Sequence, residues 1–205
     1  MSLPRVSLHR LRMACVVIAG AIAALAGGCS RVEPPKKPPP NAAELNESLR
    51  EAAFAGELEK ARTLLAQGAA PADTNAEGRT ALMLAVFNGH VEVARLLLAR
   101  GADVQAQDKL GRTALMYTAS GPYEATVRLL LEHGADADIC DKDERWTALM
   151  FAAAEGQLDV VRALLAHGAD PARTDIDGDK AIDFASRNGH AAVAALLAAS
   201  GSNGK

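Results

Sequence analysis

A period of 33 residues constrains this chain more than any other feature. Ala81-Leu82-Met83 returns as Ala114-Leu115-Met116 and again as Ala148-Leu149-Met150, at steps of 33 and 34 residues, each copy preceded by a threonine (Thr80, Thr113, Thr147). Gly68, Gly101, Gly134, Gly168 and Gly201 form a second column. Leu64, Leu97, Leu130, Leu164 and Leu197 form a third, four residues ahead of the glycines. Self-similarity on this scale marks a stacked array whose units cannot bury an apolar face alone and so lean on their neighbours. Composition selects the element type. The chain is 49% hydrophobic, with Ala and Leu dominant, and only 3% aromatic, which favours helix over strand.

The second unit shows the pattern most fully: Gly78-Arg-Thr-Ala-Leu-Met-Leu-Ala-Val-Phe-Asn-Gly-His-Val-Glu-Val-Ala-Arg-Leu-Leu-Leu-Ala-Arg-Gly-Ala-Asp103. Period and residues together resemble the ankyrin repeat. The family's Thr-Pro-Leu-His becomes Thr-Ala-Leu-Met here, which keeps the turn and the apolar frame. The resemblance implies an all-α solenoid of about five helix-turn-helix units with protruding hairpin loops, spanning 42–76, 77–109, 110–143, 144–176 and 177–201.

Each column then has an expected task. Thr80, Thr113 and Thr147 suit helix N-caps. Ala52, Ala85, Ala152 and Ala185 are small where helices approach each other. Leu84, Tyr117, Phe151 and Phe184 fill the space between units, and the glycine column suits left-handed C-caps. The end units should be solvated: the first opens with Asn46-Glu47-Ser48, and the last carries Lys180, Asp183 and Ser186. Unit three departs from the pattern. It reads Gly121-Pro122-Tyr123 where units two and five read Asn88-Gly89-His90 and Asn188-Gly189-His190, so Pro122 should reshape its turn. One residue is also inserted before Trp146. These irregularities are either drift or the mark of a partner.

The first 28 residues read as an address. Arg5, Arg10 and Arg12 precede an apolar run from Met13 to Ala26 that is short for a membrane-spanning helix, the form of a secretory signal. Leu25-Ala26-Gly27-Gly28-Cys29 resembles the lipobox of bacterial lipoproteins, which implies cleavage before Cys29 and its lipidation, with a palmitate-type acyl chain among the anchors. Acyl chains at about 0.8 kcal/mol per buried CH₂ hold such a protein at the membrane. Ser30 follows, where an Asp would imply inner-membrane retention. The resemblance therefore implies a cell-envelope protein anchored to the outer membrane and facing the periplasm. Residues 29–41 hold five of the nine prolines and read as a polyproline stalk. Residues 202–205 read as a disordered tail.

Removing three arginines and no acid shifts the formal charge from −3 to about −6. That balance argues against nucleic acid as a partner. Cys15, Cys29 and Cys140 are too few and scattered for a disulfide framework or a zinc site, and Cys140 reads as an unpaired bystander. Asp175-Ile176-Asp177-Gly178-Asp179 is a poor calcium loop, since an EF-hand needs Gly at its sixth position and Glu at its twelfth, which here is Ser186. His90 and His190 hold the family's Gly-His position, while His133 and His167 end second helices beside favourable dipole ends. No nucleophile elbow, phosphate loop or zinc-protease helix occurs, so no catalytic residue, metal or cofactor is expected.

Partners of ankyrin domains meet the concave face of hairpin tips and first helices. Carried over by position, that face includes Arg79, Phe87, Asn88, Lys109, Leu110, Arg112, Glu144, Trp146, Glu155 and Arg187, together with Glu77, Ser120, Asp177 and Asp179. Trp146 is the only tryptophan, in a column shared with Arg79, Arg112 and Asp179. It either anchors a partner, as Trp and Arg do in binding hot spots, or covers the gap left by the inserted residue. The expectation is a monomeric, non-catalytic interaction module that holds an envelope or secreted protein, for example to protect or inhibit it. The alternative is a structural envelope lipoprotein without a concave-face partner.

Overall fold

The computed structural model describes residues 41–201. The expected signal peptide, Cys29, the stalk apart from Asn41, and the tail 202–205 lie outside the described residues. Among the described residues there are ten α-helices, and the only β pairing is isolated bridges. The helices come in pairs: α1 (Ala42–Ala55) with α2 (Leu58–Ala66), α3 (Ala81–Phe87) with α4 (Val91–Ala99), α5 (Ala114–Ala119) with α6 (Glu124–Glu132), α7 (Ala148–Ala154) with α8 (Leu158–Ala166), and α9 (Ala181–Arg187) with α10 (Ala191–Gly201). First helices pack on first helices, from α1 on α3 through to α7 on α9, and second helices form a parallel row from α2 to α10. The chain is an all-α solenoid of five helix-turn-helix units.

The columns explain where helices begin. Thr80 Oγ1 accepts the Met83 N–H at 3.3 Å, and Thr113 and Thr147 do the same for Met116 and Met150 at 3.4 Å. Each satisfies one of the donors that a helix start leaves unpaired. Asn41, the residue before α1, caps it, its Oδ1 accepting the Glu44 N–H at 2.9 Å. Lys180 occupies the threonine position of the last unit and has no acceptor to offer. There the Asp183 carboxylate reaches back to the Lys180 N–H at 2.8 Å, which is half of a capping box.

Helix ends follow the glycine column, left-handed at Gly68, Gly101, Gly134 and Gly168. Gly201 differs, because α10 runs on through it. His133 and His167 donate from Nδ1 to the carbonyls of Leu129 and Ala163 at 2.8 and 2.9 Å. These bonds satisfy late carbonyls of α6 and α8.

The core is one continuous layer between the two helix rows. Leu82, Met83, Leu97, Leu115, Met116, Leu130, Leu149, Met150 and Leu164 are buried completely or nearly so. The alanine column is fully buried at Ala52, Ala85, Ala152 and Ala185. Thr118 stands in that column in unit three, equally buried, with no hydrogen-bond partner for its hydroxyl.

Turns between the helices of a unit pass through left-handed Gly56, Gly89, Gly156 and Gly189. A ring from the next unit lies against three of them. A Cβ on Gly89 would sit 2.2 Å from the Tyr123 ring, and one on Gly56 or Gly156 would sit 2.6 or 2.4 Å from the imidazole of His90 or His190. Only a residue without a side chain permits that approach. Asn88 Nδ2 and His90 Nε2 also donate to the Phe54 carbonyl at 2.8 and 3.1 Å, and Asn188 and His190 repeat both bonds on Ala154.

Unit three breaks the pattern. Pro122 occupies the glycine position and cannot adopt a left-handed φ. Its first helix α5 has six residues against seven in α3. Pro122 thus reshapes the turn, and unit four brings Gln157 rather than a ring to the corresponding position.

Candidate functional site

The hairpins between units are built around one side-chain acceptor each, buried in all but the first. Asp108 Oδ1 accepts the N–H groups of Leu110 and Arg112 at 2.9 and 2.8 Å. Asp141 does so for Glu144 and Trp146 at 3.2 and 3.0 Å, and Asp175 for Asp177 and Asp179 at 2.9 and 2.8 Å. Asn75 plays the same part in the first hairpin, toward Glu77 and Arg79. A carboxylate taken from water must recover its hydrogen bonds, and the turn supplies them.

Successive hairpins are then joined tip to tip. Lys109 N–H donates to the Glu77 carbonyl at 3.0 Å, Lys142 N–H to Leu110 at 2.8 Å, and Ile176 N–H to Glu144 at 3.1 Å. The inserted residue lengthens the third hairpin, where Arg145 takes a left-handed φ of 58°. Gly78, Gly111 and Gly178 fill that role elsewhere.

Between the hairpins and the first helices runs a ladder of stacked side chains. The Arg79 guanidinium lies 5.6 Å from the Tyr117 ring centre, and that of Arg112 lies 5.7 Å from the Phe151 ring centre. In each case a residue of one hairpin covers the aromatic of the next unit. Trp146 continues the series, 4.4 Å from Phe184 and 5.1 Å from Phe151 between ring centres. Arg187 closes it at 4.9 Å from Phe184, paired with Asp179. Tyr117 donates to Asp108 Oδ2 at 2.6 Å. Burial first, and then this bond, raise its pKa to about 12.

The residues expected on the binding face are therefore not equally available. Trp146 is half-buried within the aromatic ladder, so it has a packing role whatever else it does. Asn88 commits its amide to the preceding unit. Arg79 and Arg112 are half-buried over rings, and Arg112 Nε stands 3.7 Å from Asp141 Oδ2. Lys109, Glu144, Glu155 and Arg187 are exposed, as are Glu77 and Asp177. Phe87 is 48% exposed, with its ring edge-on to Tyr117 at 6.1 Å, and Leu110 is 37% exposed at a hairpin tip.

Two apolar positions escaped the sequence reading: Phe54 at 48% and Ile176 at 54%. Phe54 lies one repeat before Phe87, and Ile176 occupies the tip of the last hairpin. That register was the available signal for both. All four exposed large hydrophobic side chains among the described residues stand on first helices or hairpin tips. Between Phe87 and Phe151 lies a cavity of about 120 Å³, lined also by Arg112, Met116, Tyr117 and Ser120.

Among the described residues no group of three or more His, Cys, Asp and Glu side chains could hold a metal ion. The Asp175 carboxylate is engaged by the turn and that of Asp179 by Arg187. Cys140 is half-buried and its backbone pairs with Thr147. None of the described helices is long and apolar enough to cross a membrane.

Comparison with curated proteins finds none that matches. The family model for ankyrin repeats (three copies) matches residues 41–108 and 115–205, nearly the whole of the described array. With the repeat columns, the paired helices and the linked hairpins, that match establishes that this chain belongs to the ankyrin-repeat family.

Proposed function

We propose that the chain is a non-catalytic protein-interaction module, tethered through lipidated Cys29 to the periplasmic side of a bacterial outer membrane. On this reading it holds an envelope or secreted protein against its first helices and hairpin tips, so as to protect or inhibit it. The observation that carries the binding part is the one-sided distribution of exposed apolar side chains. Phe54, Phe87, Leu110 and Ile176 share one surface, whereas the second helices turn Glu92, Arg95, Arg128, Asp159 and Arg162 outward. Water-exposed apolar groups gathered on one side of a domain mark an interaction surface. Ankyrin repeats suggest a protein partner, and the tethering part rests on the lipobox resemblance alone.

Photocrosslinkers at Phe87 and Leu110, with a control at Arg162, would test the binding reading in the native envelope. One discrete adduct from the first two positions and none from the control is the expected outcome. Adducts from all three or from none would favour a structural envelope component instead. Mass spectrometry of Cys29 and of a Cys29→Ser variant tests the anchor separately. An unacylated wild-type Cys29 would remove the membrane from this proposal.

A further inference from the structure

The cavity between Phe87 and Phe151 has an identifiable origin. The repeat position at or beside the end of each first helix reads Phe54, Phe87, Ser120, Ala154 and Arg187 along the array. In unit three a serine therefore stands where units one and two carry a phenyl ring, and its hydroxyl turns back to the Tyr117 carbonyl at 3.0 Å. The space left over is about 120 Å³, with aromatic walls and Met116 among its lining. Small-molecule sites occupy ~300–1,000 Å³, so this space suits one inserted side chain.

The charges beside it point to the rest of the ligand. Arg112 lines the cavity, its guanidinium 5.7 Å from the Phe151 ring centre, with an ion pair no closer than 3.7 Å and no hydrogen bond to its Nε. Arg79 stacks on Tyr117, the opposite wall, and takes part in no ion pair among the described residues. Its Nε is buried and also without a hydrogen-bond partner. Asp108 spends both oxygens on its own hairpin and on Tyr117, and Asp141, whose Oδ1 closes the next hairpin, turns its Oδ2 toward Arg112 only at 3.7 Å. A guanidinium held against a ring is pre-organised for a carboxylate and loses little freedom on pairing.

We propose that this cavity receives an apolar side chain of an extended partner segment whose flanking acidic residues pair with Arg79 and Arg112. The proposal deepens the protein-binding reading above and rests on it. Neighbouring helices pack about 8–10 Å apart, and an extended strand advances ~3.3 Å per residue. Because alternate side chains of a strand share a face, the two acids would lie about four positions apart, with the apolar residue midway between them.

Selection of random peptides displayed on phage, with the full chain as bait, tests this. The expected result is a consensus of one apolar residue bracketed by Asp or Glu. Its affinity should fall about tenfold, a loss typical of hot-spot contacts, both in Ser120→Phe, which fills the cavity, and in Arg79→Gln. Circular dichroism confirms that each variant is folded. No enrichment, a basic or charge-free consensus, or undiminished binding to Ser120→Phe overturns the proposal. If the peptides are nevertheless lost on Phe54→Ser or Leu110→Ser, the cavity falls and the binding face stands. Peptides lost only on Arg95→Glu or Arg162→Glu, on the second helices, would remove both.

Discussion

Asp108 shows how much of the binding face hangs on one side chain. One carboxylate oxygen closes the hairpin and the other holds the Tyr117 hydroxyl, the ring over which Arg79 lies. Replacing Tyr117 by Phe leaves that buried oxygen short of a donor, which costs about 1–3 kcal/mol near neutral pH. The cost should depend on pH in a definite direction. Folding raises the Tyr117 pKa from the ordinary value of about 10 to about 12. Between those values the folded chain keeps a proton that the unfolded chain has lost. The contribution is therefore complete below pH ~10 and is lost as pH rises through the folded pKa. Denaturant titrations of wild type and Tyr117→Phe should show a gap that is constant from pH 7 to 9 and closes in stronger base. A gap that does not close would mean the hydroxyl bond contributes nothing. None of this is visible in the sequence, where Asp108-Lys-Leu-Gly reads as an exposed turn. Burial of that carboxylate depends on stacking against the next unit, which no local pattern records.

At the scale of an element, legibility follows the range of the interaction. N-caps act over four residues, so the threonine column could be read directly, and three bonds of 3.3–3.4 Å match it. Leucine and alanine columns follow from helical periodicity and were equally accessible. The stacked ladder was not. Arg79 with Tyr117, Arg112 with Phe151 and Trp146 with Phe184 are separated by a repeat plus a few residues, and pairing them requires knowing how far one hairpin overhangs its neighbour. In the sequence the aromatic and arginine columns stand as separate features, and nothing in either places Trp146 between Phe151 and Phe184. The same local logic yields a prediction for α9, the one inner helix whose cap position holds a lysine. Lys180→Thr would add the missing side-chain acceptor while Asp183 keeps its bond to the backbone, completing a capping box. Thermal unfolding should show a gain of about 0.5–1 kcal/mol. The same substitution in an Asp183→Ala background should gain less if the two halves act together, and equal gains would show them to be independent.

For the whole molecule, the junction between units three and four is the seam. Stability in a stacked array is approximately a sum of unit terms and nearest-neighbour terms, so a junction lacking one of its contacts weakens the cooperativity of the array. At the other three junctions a ring from the later unit rests on a left-handed glycine of the earlier one. Here Pro122 and Gln157 occupy the two positions, with none of the side-chain bonds that Asn88 and His90 or Asn188 and His190 make. Pro122→Gly alone should destabilise, because it frees the unfolded chain without supplying a ring. Gln157→His alone meets a pyrrolidine where it needs open backbone. Together they would rebuild the contact seen at Gly56 with His90, so the double variant should exceed the sum of the singles by about 0.5–3 kcal/mol, as directly touching residues do. Urea unfolding followed both by Trp146 fluorescence and by far-ultraviolet circular dichroism would measure this, since Trp146 reports from the fourth unit and dichroism from the helices of every unit. The double variant should also bring the two transitions closer together. Additive effects would mean that the inner ladder, where Arg112 already bridges to Phe151 and Asp141, carries this junction without help from the turns.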